Sequence, residues 1–302
     1  MIGDRMNKEL VERINALVVE QLENGIAPWR KPWNASGYMP MSLTSNKEYS
    51  GINALVLAIC GAEYKRSLWV TYKQAQALGG NVRKGEKSLP VVYWSRIIKP
   101  GEDGKPVSKG AFMKFYSVFN VEQCDGITIP AIYDIKREPV DTLPALNSIV
   151  SGYANKPEIY YKEQGAAFYN TLTDSITLPP LAAFDDAESH AYTLCHEMIH
   201  STGHQSRLDR FKEDDKPARF GDANYAREEL VADIGAQILL SSNGVNYDMQ
   251  NSASYLAGWL KALKNDPSLI ISASGKAQRA ADYIQGINRK EESAKISEEV
   301  SA

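Results

Sequence analysis

The sequence predicts an α+β chain of two domains, an N-terminal α+β domain with an antiparallel sheet and a mainly helical C-terminal domain with a small sheet. Three observations lead there. At 302 residues the chain is long enough for two cores, and 43% hydrophobic with 24% charged is the balance of an ordinary globular protein. A polar stretch, Lys136 to Pro144, carries two prolines within six residues, which discourages helix and strand alike. Before it the pattern is rich in strand signals, and after it helical periodicity dominates. The boundaries read as residues 1–137, a linker at 138–144, a second domain at 145–288 and a flexible tail at 289–302, whose RKEESAKISEEVSA has too little apolar content to fold alone.

In the first domain Leu10, Val11, Ile14, Leu17, Val18 and Leu22 recur at helical spacing and stop at Gly25. The tryptophan-bearing loop IAPWRKPW follows, then an apolar segment from Gly51 to Cys60, a strand at Leu68 to Thr71 and a helix at Tyr72 to Leu78. LPVVYWSRIIK and AFMKFYSVFNV are β-branched and aromatic, and they flank the turn PGEDGKP, so they read as a hairpin. The second domain opens with strands near Glu158 to Tyr161, Ala166 to Asn170 and Ser175 to Leu178. Asp185 with Glu188 has the spacing of a capping box, and Gly203 ends the helix it begins. Asp222 and Gly244 bracket the next helix, and two more follow, one with Leu256, Trp259, Leu260 and Leu263 on a stripe, the other around Ala277 to Ile284.

Charge is unevenly divided. Residues 1–150 hold 19 Lys+Arg against 15 Asp+Glu, a net of +4, within a chain whose total is -3. Acidic and basic residues interrupt the apolar character of the first twenty residues, and no apolar run reaches membrane-spanning length, so a cytoplasmic location without a membrane partner is expected. Cys60, Cys124 and Cys195 are odd in number and scattered, which suits reduced thiols. Cys195 reads as a buried, inert thiol despite its neighbours.

Those neighbours form the sharpest signal, His196-Glu197-Met198-Ile199-His200. Residues four apart on a helix differ by about 40° around the axis, so the two imidazoles can share one ion. Glu197 stands at the edge of that face, where a carboxylate can take a proton from a metal-bound water. Two histidines and a water leave a zinc site one protein ligand short. His204 is rotated by about 80° and displaced by about 12 Å along a continuous helix, so it closes the site only if the chain bends after Gly203. Glu229 and Asp233 share a face of the following helix, so Glu229 is the preferred third ligand and Asp233 the carboxylate that orients a ligand histidine. Glu228, about 100° away, reads as a solvated charge. The competing reading, histidines on a plain amphipathic helix, requires this spacing by chance from only four histidines in the chain.

The first domain has the composition of a surface for single strands. Trp29, Trp33, Trp69 and Trp94 fall within the first hundred residues, among Arg30, Lys31, Lys73, Arg83, Lys84 and Lys87. From Lys65 to Lys114 there are 11 Lys+Arg against three acidic residues, a local net of +8. Regular alternation puts Trp94 with Arg96 on one face of their strand and Lys114 with Tyr116 on one face of the next. Aromatic rings that stack on bases, with cations for phosphates, give sequence-tolerant binding. Interleaved aromatics and charges also describe a half-buried sheet, which is the alternative. No zinc finger, helix-turn-helix, Walker loop or dinucleotide fingerprint occurs, so duplex reading and a nucleotide cofactor are disfavoured.

The strand hairpin, HExxH helix and helix bearing ExxxD resemble the compact core of gluzincin-type metallopeptidases. The ordered set GIAPWRKPW, YSGINALVL, WVTYKQAQALGGNVRKGEKS, YNTLTDSITLP, HEMIHSTGHQSRLDR and YAREELVAD resembles the ArdC family of plasmid antirestriction proteins, over residues 6 to 285. The resemblance implies an N-terminal domain that binds single-stranded DNA and a C-terminal zincin-like domain of gluzincin or SprT type. It implies protection of incoming conjugative DNA, with Zn2+, Mn2+ or another divalent metal on His196, His200 and Glu229 and acid/base work by Glu197. DNA contacts carry over as the regions around Trp29 to Trp33, Trp69 to Lys73, Tyr72 included, and Arg83 to Lys87. Host restriction machinery or another protein is a further expected partner. The rival expectation is a DNA-tethered, SprT-like zinc protease acting on DNA-associated proteins.

Overall fold

A computed structural model describes residues 2–30, 33, 39–100, 106–134, 140–211, 223–247 and 253–289. Lys31, the turn at 101–105, the start of the expected linker, Asp222 and the tail from 290 lie outside the described residues, as do the side chains of Trp94 and Arg96.

The first half forms α1 (Ile2–Glu23), a 3-10 turn at Pro28–Arg30, β1 (Met41–Ser42), α2 (Gly51–Cys60), β2 (Leu68–Thr71), α3 (Tyr72–Ala77), β3 (Asn81–Val82), β4 (Leu89–Pro100), β5 (Pro106–Asn120) and β6 (Cys124–Asp125). A four-stranded sheet runs in the order β1-β2-β5-β4, with β1 parallel to β2 and the other pairs antiparallel. The hairpin expected from its β-branched and aromatic strands is the β4–β5 pair, and its irregularity between Arg96 and Ile98 bends the outer end. The Thr71 hydroxyl accepts from the backbone N–H of Gln74 while the Gln74 side chain accepts from that of Thr71, which starts α3 directly after β2.

The second half forms α4 (Thr142–Gly152), β7 (Glu158–Tyr161), β8 (Phe168–Asn170), β9 (Ser175–Leu178), α5 (Ala187–Ser201), α6 (Ala223–Ser242), α7 (Ala253–Asn265) and α8 (Leu269–Gln285). The small sheet has the order β7-β9-β8, with β9 wholly buried between its neighbours. Two local expectations change. The linker segment turns into α4 at Thr142, because Pro144 sits in the first turn, where a missing N–H breaks no helical hydrogen bond. The cap of α5 is Asp186, which accepts from the Ser189 N–H at 2.6 Å, rather than Asp185. Glu188 instead accepts from the Thr142 hydroxyl at 2.6 Å and ties α4 to α5.

The two halves share their main core. Ile14, Val18 and Leu22 of α1, Trp29 and the first two turns of α2 belong to one apolar cluster with α5, α6, α7 and α8, while Leu68, Val70, Ala75 and Val121 form a separate small cluster in the N-terminal sheet. Of the tryptophans expected on a DNA surface, Trp29, Trp33 and Trp69 are therefore corrected to core residues. Trp29 and Trp69 are fully enclosed and Trp33 is 2% exposed. The Trp29 ring meets Trp259 of α7 edge-on at 5.0 Å. Large apolar rings gain more by filling an interior than by facing water. Among the described residues no helix is long and apolar enough to cross a membrane.

The enclosure of Trp29 has a measurable consequence. Trp29→Ala is expected to cost about 3–5 kcal/mol of stability in urea unfolding; a stability change near zero, with loss of oligonucleotide binding, would return this ring to the surface role.

Candidate metal centre

α5 carries His196 and His200 on the face turned to α6. The contact is close because α6 presents Gly235 to Ile199, and a Cβ at Gly235 would stand 2.7 Å from the Ile199 side chain. Glu229 and Asp233, on the α6 turns before this glycine, are thereby drawn up to the imidazoles. After α5 the chain folds back at Gly203, where a side chain would strike the Phe211 ring. Arg207 then donates to the Ser201 carbonyl at 2.7 Å and Arg210 to that of Ile199 at 3.0 Å, so two cations satisfy carbonyls at the helix C-terminus.

Three side chains that could hold a metal ion converge. Nε2 of His196 and Nε2 of His200 are 3.1 Å apart, and Glu229 places Oε2 3.5 Å from the first and Oε1 3.4 Å from the second. Donors bound about 2.0–2.1 Å from a tetrahedral ion stand about 3.3–3.4 Å from one another; the contacts here are near that spacing, with each imidazole facing its own oxygen of Glu229, so two imidazoles and one carboxylate suit a divalent cation. The three side chains are 12–15% exposed, which leaves one side open to solvent. His204 is not among them: its Nδ1 pairs with the Ser206 hydroxyl at 2.8 Å.

Behind the triangle each imidazole rests on a carboxylate. His196 Nδ1 lies 2.9 Å from Asp233 Oδ1, the partner expected from the i+4 spacing, and His200 Nδ1 lies 3.3 Å from Glu228 Oε1. A carboxylate at Nδ1 fixes the proton there and leaves the Nε2 lone pair for the ion. Glu228 is thus no solvated charge, as its position on the helical wheel suggested. Arg210 donates to it at 2.6 Å, and the folded-back loop supplies a partner that α6 alone does not reveal. Asp233 is held by the Tyr192 hydroxyl at 2.8 Å and by Arg30 at 2.9 and 3.1 Å. Arg30, expected at a DNA surface, is 4% exposed and belongs to this network. Arg210, Tyr192 and Arg30 were missed by sequence reasoning. Only Tyr192 carried a signal, since it precedes His196 by one helical turn.

Burial works to lower the pKa of His200, but hydrogen bonds with Glu228 and Glu229 outweigh it and push the imidazole up to about 9. His196 is raised in the same way by Asp233 and Glu229 against its burial. Burial works to raise Glu229, but the two imidazoles hold its carboxyl well below the ordinary range. Cys195 is pushed up to about 12 by burial, the property of an inert thiol.

Glu197 is 8% exposed and follows His196 directly. Among the other expected contact residues, Tyr72, Lys73, Arg83, Lys84 and Lys87 are exposed. Arg83 already pairs with Glu86 at 2.7 Å and Asp125 at 3.5 Å, so its charge is partly spent within the fold.

Two outcomes follow from this geometry. In the metal-free protein the raised imidazoles stabilise the fold fully below the unfolded value of 6.5, and that contribution fades as pH climbs through about 9. Glu229, being depressed, contributes above its ordinary 4.5 and loses its effect on acidification. Melting temperature is therefore expected to fall from pH 6.5 to 9 without metal and to fall less with a divalent cation, whose binding displaces those protons; an identical decline in both would contradict the triangle. Gly235→Ala should push α6 from α5, lowering the melting temperature and weakening metal binding about tenfold or more, as misplaced ligand shells do; calorimetric titration with Mn(II) checks it.

Comparison with known proteins accords with this architecture. Residues 8–119 match the family model described as the N-terminal domain of anti-restriction factor ArdC, and residues 152–276 match that of a zincin-like metallopeptidase. Two Escherichia coli proteins named DNA primase TraC are 37% and 36% identical over 94% and 95% of the chain, which spans only 20% and 28% of their lengths. An uncharacterised Sinorhizobium fredii protein, y4eC, is 33% identical, with 91% of each covered. The metal-free crystal structure of the antirestriction protein ArdC from plasmid R388 superposes with a TM-score of 0.73 at 37% identity, over 92% of this chain and 99% of that one. Its Mn(II)-bound form gives the same score and identity over 91% and 97%. With a shared fold, two matching domains and more than a third of residues identical along nearly the whole length, the chain belongs to the ArdC family of antirestriction proteins.

Proposed function

We propose that this protein binds single-stranded DNA without strong sequence preference and shields incoming conjugative plasmid DNA from host restriction. The observation that carries the reading is the exposed face of the β4–β5 hairpin. Tyr93 and Tyr116 are 48% and 45% exposed and meet edge-on at 5.4 Å, with exposed Lys114 opposite Tyr93 across the strands. Large rings left half in water beside a cation suit stacking on bases, at about 1–3 kcal/mol per base. Exposed Lys73, Lys84 and Lys87 in the same domain suit phosphate neutralisation. Relatives named as DNA primases are in keeping with work on DNA strands.

The metal domain supports a second reading, a DNA-tethered metalloprotease acting on DNA-bound proteins. His196, His200 and Glu229 would hold the cation, whether zinc or manganese, and a cation there supplies a Lewis acid that polarises a substrate carbonyl. Glu197, one residue past His196, would accept the proton of the attacking water and return it to the leaving amine. Asp233 and Glu228 keep the imidazoles in register, and Arg30 and Arg210 hold those carboxylates in place. In the first reading the same domain supports stability or engages a partner protein of the restriction machinery.

The two readings part at defined variants. Tyr93→Ala with Tyr116→Ala should weaken binding to a labelled oligonucleotide by tenfold or more, and wild-type affinity should fall steeply with salt; absent or salt-independent binding would sink DNA recognition in either version. Glu197→Gln keeps the ligand triangle and removes the base. Retained protection in a restriction assay favours the binder, and joint loss of protection and proteolysis favours the enzyme.

A further inference from the structure

We propose that Arg30, carried by the first domain, is the positioning residue that completes the metal centre of the second, so that full metal affinity requires the two domains to be docked. The proposal rests on the metal-centre reading above.

The two ligand histidines are backed in parallel but from different sources. Behind His200 the sequence is Glu228 and then Arg210, both within the second domain. Behind His196 it is Asp233 and then Arg30, which arrives from the 3-10 turn 203 residues earlier in the chain. Arg30 spends both Nε and Nη2 on Oδ2 of Asp233, while Oδ1 accepts from Tyr192 and faces His196 Nδ1. Each oxygen thus has its own set of partners. The carboxylate cannot rotate without breaking both sets at once.

Arginine suits this task because its planar fork holds a carboxylate in one orientation. The guanidinium lies 4.8 Å over the Trp259 ring, and the adjacent Trp29 packs on the same ring, so the fork is itself fixed. Adhesion between domains does not require such a pair. Buried ion pairs are commonly matched in stability by apolar side chains of similar size. Apolar side chains cannot hold a carboxylate aimed at an imidazole, and that is what Arg30 does here. Linkage then follows: metal strengthens docking of the 3-10 turn by the same factor by which docking strengthens metal binding.

The test is calorimetric titration of the full chain with Mn(II), alongside melting curves. Removal of carboxylates behind metal-bound histidines costs about 10–100-fold in affinity, and Arg30→Met should approach the lower end of that range. Arg30→Lys keeps the charge without the fork and should recover part of the loss. Asp233→Asn should weaken binding similarly, and adding Arg30→Met to it should cost less than a further twofold, since both act through one carboxylate. Val70→Ala, in the separate small cluster of the N-terminal sheet, should lower the melting temperature yet bind Mn(II) within twofold of wild type. If Arg30→Met fails to fold, Arg30→Lys decides. Wild-type Mn(II) affinity in the Arg30 variants, whatever their melting temperatures, overturns the proposal while leaving the metal centre standing. A wild-type protein that binds no Mn(II) overturns both.

Discussion

The close approach of α5 and α6 is the constraint on which the centre depends. Ile199 lies between the two ligand histidines on α5, and Gly235 lies two residues beyond Asp233 on α6. Where these two positions touch, a side chain larger than hydrogen on α6 would hold the helices apart. Ligand atoms 3.1–3.5 Å from one another tolerate little of that, because a divalent ion accepts donors over only a few tenths of an ångström. A packing detail between two apolar positions therefore sets how closely the candidate ligands approach one another. The Gly203 turn extends the same logic, since it lets Phe211 close down and brings Arg210 to Glu228.

The charge balance around the triangle favours a cation. Glu228, Glu229 and Asp233 bring three negative charges into a largely buried network that contains Arg30 and Arg210. With neutral imidazoles the sum is one negative charge in a medium that penalises uncompensated charge. Protonation of an imidazole relieves it, which is why both histidines titrate high despite their burial. A divalent ion relieves it as well, and it satisfies three lone-pair donors at once. The raised imidazoles and the depressed Glu229 are thus two expressions of one electrostatic deficit.

The convergence of the candidate ligands was legible in the sequence because their spacing is local. The four-residue step from His196 to His200 and the step from Glu229 to Asp233 are fixed by helix geometry, so one can place both pairs without knowing the fold. The strands at Leu68–Thr71, Glu158–Tyr161 and Ser175–Leu178 were legible for the same reason, as short runs bounded by turn chemistry. What escaped is non-local. Arg30 and Asp233 are 203 residues apart, and Arg210 reaches Glu228 only after a loop reverses direction. Glu228 was misread because a helical wheel ranks positions by angle to one neighbour, and here α5 and the returning loop approach α6 from two sides.

The segment GIAPWRKPW shows why composition and placement must be separated. Tryptophan beside arginine suits a base-stacking surface, and it suits equally the buried junction where Trp29 meets Trp259 under the Arg30 guanidinium. The exposed pair Tyr93 and Tyr116 has a less conspicuous composition but is the one left facing water. Exposure, which the sequence does not encode locally, decides between the two uses. The division of the chain into two independent halves is correspondingly incomplete. The motif that reads as the clearest property of the first half supplies the arginine that steadies a histidine of the second, and the main core runs through both. A chain arranged in this way cannot vary the position of its 3-10 turn without disturbing Asp233, and so the two halves answer to one another through a buried ion pair.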